Sequence, residues 1–133
     1  ISNRCALQCP RCQREMFFKS KGVPVPGRDL SAIEFEKITD YADLVMFCGQ
    51  YSDPIHHPDF ITFLRRCKDK GISVRVHTAS TGKKESWYKE AFAANKNAGW
   101  IFAIDGMPET SCNYRINQKG KKLFDIMVKF QFV

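Results

Sequence analysis

Residues 44–76 read LVMFCGQYSDPIHHPDFITFLRRCKDKGISVRV, and the fold depends on how this stretch is divided. Leu44 to Phe47 is an apolar run bounded by polar residues and prolines. Pro58 opens a helical pattern in which Phe60, Phe63, Leu64 and Cys67 share one face and basic residues cover the other. Gly71 stops that helix, and Ile72 to Val76 is a second apolar run. Strand, helix and strand in so short a span predict a βαβ unit with parallel pairing.

The same grammar continues on both sides. Ser31 and Glu34 form a capping box, which starts a helix expected to carry Ile38, Tyr41 and Ala42 inward. A further helix is expected over Glu85 to Asn95, with Trp87 and Ala91 on one face, before a third apolar run at Trp100 to Ile104. A last helix starts around Gln118 and carries Leu123, Ile126 and Met127. Strand ends then fall near Cys48, His77 and Asp105, a repeat of about 28 residues that marks successive βαβ units. The expected class is α/β, a parallel sheet with helices packed over it. Residues before Cys5 are read as the end of an earlier strand whose start is cut away. With Ile1 at one end and the apolar pattern Phe130 to Val133 at the other, the chain is expected to be one incomplete domain of a longer protein.

The chain has 133 residues, 44% hydrophobic and 26% charged, and eleven phenylalanines. It is long enough to bury a core and is globular by composition. No apolar run approaches the ~20 residues of a membrane span, so no membrane partner is expected. The net charge of +7 suits either a solvated basic surface or attraction to an anionic small molecule or RNA. Six cysteines would permit three disulfides. Disulfide scaffolds, however, are usually short secreted chains without a core. With uneven cysteine spacing and no leader pattern, a reducing compartment, the cytoplasm, is expected.

In parallel α/β folds ligands bind outside the carboxyl ends of the strands. The segments in that position are Cys5–Cys12, Cys48–His57, His77–Lys83 and Asp105–Arg115, which hold most of the unusual chemistry. Cys5, Cys9 and Cys12 are spaced C-x3-C-x2-C. Three thiolates do not close a tetrahedral zinc site, which would need a fourth ligand such as His56, His57 or Cys48. A four-iron cluster with three cysteine ligands and one open iron is the other possibility.

Four motifs in order give the chain a resemblance to a known family. The triplet Cys5, Cys9, Cys12 resembles the signature of the radical S-adenosylmethionine (SAM) enzymes, which lies after the first strand of a partial (β/α) barrel. CGQYSDPIHHPDF (Cys48–Phe60) resembles that family's Gly-Gly-Glu-Pro region. VHTAST (Val76–Thr81) resembles its Thr-Asn-Gly segment. FAIDG (Phe102–Gly106), followed by Tyr114-Arg115, resembles its Ser-x-Asp-Gly segment.

The resemblance implies a partial (β/α) barrel, a [4Fe-4S] cluster held by Cys5, Cys9 and Cys12, and SAM chelating the fourth iron. An electron, delivered by a donor such as flavodoxin or ferredoxin, would cleave SAM to a 5′-deoxyadenosyl radical that abstracts hydrogen from an unidentified substrate. Gly49, Gln50, Ser52 and Asp53 would then lie against the methionine amino group. Asp105 would meet the ribose hydroxyls, Arg115 the carboxylate, and Thr78 and Ser80 would line the same rim. Plainer roles exist for several: Asp53 as a turn residue before Pro54, Asp105 as a helix cap, Arg115 as a surface charge. Cys67 is expected in the core, Cys48 to pack beside the site, His56 and His57 to serve the loop, and Cys112 to lie in a loop.

The chain departs from the family pattern at Arg11, where an aromatic is common, at Gln50 and Tyr51 in the glycine-rich run, at Asp53 in place of glutamate, and at Ala103. Two other functions compete: a zinc-binding nucleic-acid module, and a non-catalytic α/β domain with a degenerate site.

Overall fold

The computed structural model describes residues 1–130, so the apolar pattern at Gln131 to Val133 lies outside the described residues. The elements run α1 (Gln13–Lys21), α2 (Ala32–Thr39), β1 (Leu44–Phe47), α3 (Phe60–Asp69), β2 (Ser73–Thr78), α4 (Glu85–Ala94), β3 (Gly99–Phe102) and α5 (Gly120–Lys129). The three strands form a parallel sheet in the order β1-β2-β3. Val45 pairs with Val74, and Val76 pairs with both Phe47 and Trp100. α3 and α4 make the two crossovers, as the 44–76 stretch predicts.

α3 follows from its sequence. Its apolar residues recur at i, i+3, i+4 and i+7, and all four (Phe60, Phe63, Leu64, Cys67) are buried. The Gly71 N–H bonds Lys68 O and the Ile72 N–H bonds Cys67 O, the paired bonds of a Schellman stop. Gly71 adopts φ +70°, which a side chain would resist. Phe60 packs edge-on against Phe47 and Trp100 and stacks near Trp87. Each such ring contributes roughly 1.5–3 kcal/mol by burial.

Strand alternation leaves the sheet one-sided. Val74, Val76 and Thr78 are buried beneath the helices, with Phe47 and Trp100 beside them. Leu44, Met46 and Ile101 point to the other face and stay about half exposed, at 52%, 49% and 43%.

Two expectations are corrected. α2 does not carry Ile38 and Tyr41 inward: they are 47% and 92% exposed, and Phe35 and Thr39 are the buried residues. Phe35 stacks on Phe63 with ring centroids 4.0 Å apart. That contact turns Ile38 to solvent, and the helix ends before Tyr41. The residues ahead of Cys5 form no strand among the described residues. Instead, Ile1 O accepts the Leu30 N–H and Arg4 O accepts the Asp53 N–H. Asn3 bonds the carbonyls of Val25 and Gly27. No helix among the described residues is long and apolar enough to cross a membrane.

Candidate functional site

At the carboxyl ends of the strands lies a cavity of about 390 Å³, within the range of small-molecule sites. Its wall includes Cys5, Cys9 and Cys12 from the N-terminal loop, Cys48, Gly49, Gln50, Ser52 and Asp53 after β1, Thr78 and Ala79 at the end of β2, and Ala103 and Arg115 after β3.

The thiol loop is shaped by local and distant bonds. The Cys12 N–H closes a turn onto Cys9 O, and α1 begins directly after Cys12. Leu7 and Cys9 are buried against Ala79, with Cys5, Cys12 and Ala103 packed beside them. The Arg14 guanidinium donates to Leu7 O. Two bonds reach far along the chain: the Gln8 N–H to Ile116 O, and the Asn117 amide to Ala6 O. All three cysteines are free thiols. Burial raises the pKa of Cys5 and of Cys9.

The loop after β1 is fixed from within. A side chain at position 49 would meet the carbonyl and hydroxyl oxygens of Ser52 at 2.5 Å, so only glycine fits. The Asp53 carboxylate caps the following turn, accepts the Thr78 hydroxyl and accepts the Ala79 N–H at 2.9 Å. Burial pushes its pKa up, against the hydrogen bonds from Thr78 and Ala79. His57 is also structural: its Nδ1 accepts the Asp59 N–H, and Nε2 faces Leu30 O at 2.9 Å. Both ring nitrogens are thereby taken. His56 is half-buried, and burial lowers its pKa.

Arg115 and Asp105, both expected to meet a ligand, pair with each other. Arg115 lines the cavity, while Asp105 does not. Ser80 is not in this cavity. It adopts φ +49° and lines a smaller one on the far side of its loop. Cys67 is buried in the core, Cys112 is exposed, and Cys48 is exposed at the cavity wall.

The sequence gives no signal for Gln118, which is buried 15 residues beyond Ala103. Its amide donates to Ala79 O at 2.8 Å and Ala103 O at 3.2 Å, joining the loops after β2 and β3. His77, Tyr51 and Tyr114 also line the cavity.

Among the described residues, no three His, Cys, Asp or Glu side chains are grouped closely enough to hold one metal ion. The fold and site define a parallel α/β domain with a thiol-lined cavity at its strand ends. The chain matches no family model, and no curated protein matches it.

Proposed function

We propose that the chain is a radical SAM enzyme domain, a partial (β/α) barrel in which Cys5, Cys9 and Cys12 hold a [4Fe-4S] cluster beside bound SAM. The observation that carries this reading is the convergence of the C-x3-C-x2-C loop with the loops after all three strands on one cavity. When bound, the cluster and SAM supply an electron-driven cleavage that yields a 5′-deoxyadenosyl radical able to abstract hydrogen.

The chain's own residues have distinct tasks. Cys5 and Cys9 give up protons when they ligate. Leu7, Ala79 and Ala103 keep the surroundings of the thiols apolar and exclude water. Asp53 fixes the loop of Gly49, Gln50 and Ser52, which line the cavity. Arg115 is steadied by Asp105 and keeps guanidinium donors for a carboxylate. Thr78 holds the Asp53 carboxylate and accepts the Ser80 N–H. A donor such as flavodoxin or ferredoxin delivers the electron, and the substrate is a peptide, RNA or small molecule in the cytoplasm.

The zinc-binding nucleic-acid alternative gains no support from His57, whose ring nitrogens are both engaged. Anaerobic reconstitution tests the proposal. Four iron and four sulfide per chain are expected, about, as for a [4Fe-4S] cluster, with 5′-deoxyadenosine released from SAM under reductant. Zinc without sulfide overturns the reading, and a cluster that leaves SAM intact marks a degenerate site.

A further inference from the structure

Lys83, Lys84, Lys119 and Lys122 surround a second cavity, of about 170 Å³, between the loop after β2 and the first turn of α5. Neighbouring residues divide the two cavities: Ala79 lines the thiol-lined one and Ser80 this one.

Some basic side chains elsewhere on the surface pair with carboxylates. Lys70 pairs with Asp40, Lys129 with Glu85, and Arg65 with Glu90. Among the described residues, none of the four cavity lysines pairs with a carboxylate. Of the acidic groups nearest in sequence, Glu85 and Glu90 are turned to Lys129 and Arg65, and Asp125, three residues after Lys122 on α5, is in no ion pair among the described residues. Lys122 Nζ instead donates to the Lys83 carbonyl at 3.1 Å. Lys83 Nζ stands 5.0 Å above the Trp87 ring, and partial burial lowers its pKa. Four like charges around one cavity repel one another, so the arrangement is unfavourable until an anion fills it.

The helix starts break a local rule in the same direction. Lys84 is the N-cap of α4 and Lys119 that of α5, and neither helix has a side-chain acceptor on its first-turn N–H groups. Hydroxyl or acidic residues are preferred there, and a cation opposes the helix dipole. Two helices starting on lysine, beside one cavity, leave donors and positive charge for the same ligand.

We infer that this lysine-rimmed cavity binds a phosphate group, carried by a small phosphate ester or by the backbone of single-stranded RNA. The cavity admits an oxyanion but falls short of the ~300 Å³ at which sites for drug-sized ligands begin, so the rest of the ligand lies outside it. The site goes beyond the cluster reading and can fail or stand without it.

Calorimetric titration of the chain with pyrophosphate, at about 0.15 M salt, tests the inference. Lys119→Glu with Lys122→Glu is expected to weaken binding by about tenfold or more. Lys19→Glu with Lys21→Glu, an equal charge change on α1, is expected to leave it unchanged. Equal losses in both pairs, or no binding to the unaltered chain, overturn the inference, with circular dichroism checking that each variant is folded. A short oligouridylate separates the two sources. Tighter binding than pyrophosphate, with a steeper salt dependence and the same loss in the first pair, assigns the phosphate to RNA. Equal or weaker binding assigns it to a small ester.

Discussion

The Asp53 carboxylate lies 2.7 and 2.9 Å from the Thr78 hydroxyl, one distance to each oxygen. This contact bonds the loop after β1 to the end of β2 and sets the cavity wall. Asp53→Ala would strand the Thr78 hydroxyl and the Ala79 N–H in a buried place, where each unmet group costs about 1–3 kcal/mol. A loss of about 2–4 kcal/mol in urea denaturation is expected. Thr78→Val should lose less, and the double variant less than the sum, because the two share one bond. Asp53→Asn keeps an acceptor for the Ala79 N–H without a desolvated charge, so it should fall between wild type and Asp53→Ala. An Asp53→Ala variant of unchanged stability would sink this account.

Cys48 lines the same cavity as the three motif cysteines, so in the proposed cluster it is the candidate for a fourth thiolate. If the fourth iron is left for SAM, Cys48→Ala should retain the full iron and sulfide content, whereas Cys5→Ala, Cys9→Ala and Cys12→Ala should each lose most of it. Loss of iron in Cys48→Ala would indicate a four-thiol cluster with no open position.

Glu34 is held well below the usual carboxylate range by the Arg28 guanidinium and then by Ser31. Its ionised form therefore stabilises the fold fully above its unfolded value of about 4.3, and that contribution fades as pH falls towards the lower folded value. Glu34→Gln keeps the capping geometry and removes the charge. The melting-temperature difference between wild type and Glu34→Gln should be present at neutral pH and shrink steadily in acid. A difference that grows on acidification would contradict the assignment.

Tyr88 is buried among aromatics, and its hydroxyl meets the Ser80 hydroxyl outside ordinary hydrogen-bond geometry; burial pushes its pKa up to about 12. A buried hydroxyl with so poorly aligned a partner stabilises little, so Tyr88→Phe should be neutral or more stable by about 0.5–1 kcal/mol. Destabilisation beyond about 1 kcal/mol in chemical denaturation would show that the Ser80 contact is a full hydrogen bond.

The βαβ unit at 44–76 was legible because periodicity, a helix stop and apolar runs agreed within it. α1 was not, because it buries no residue and so carries no apolar stripe to read. In α2 the capping box identified the start, but the inward face was set by Phe35 meeting Phe63, a tertiary contact that local pattern does not encode. The thiol loop announced itself by spacing. Gln118 did not, since a glutamine ahead of a helix has no signature until two distant carbonyls are placed beside it. Asp105 and Arg115 were visible as charges near a strand end, but their mutual pairing depends on how the Met107–Tyr114 turn folds back.

The far-reaching bonds of the thiol loop fix an order of assembly. Asn117 holds Ala6 across 111 residues of sequence, and Gln8 is tied to Ile116. Contacts between such remote segments form only after the intervening chain has given up its freedom. The residues around the three thiols are therefore among the last to be set in place, and the thiols become a matched set only when the sheet and the loop ahead of α5 already exist.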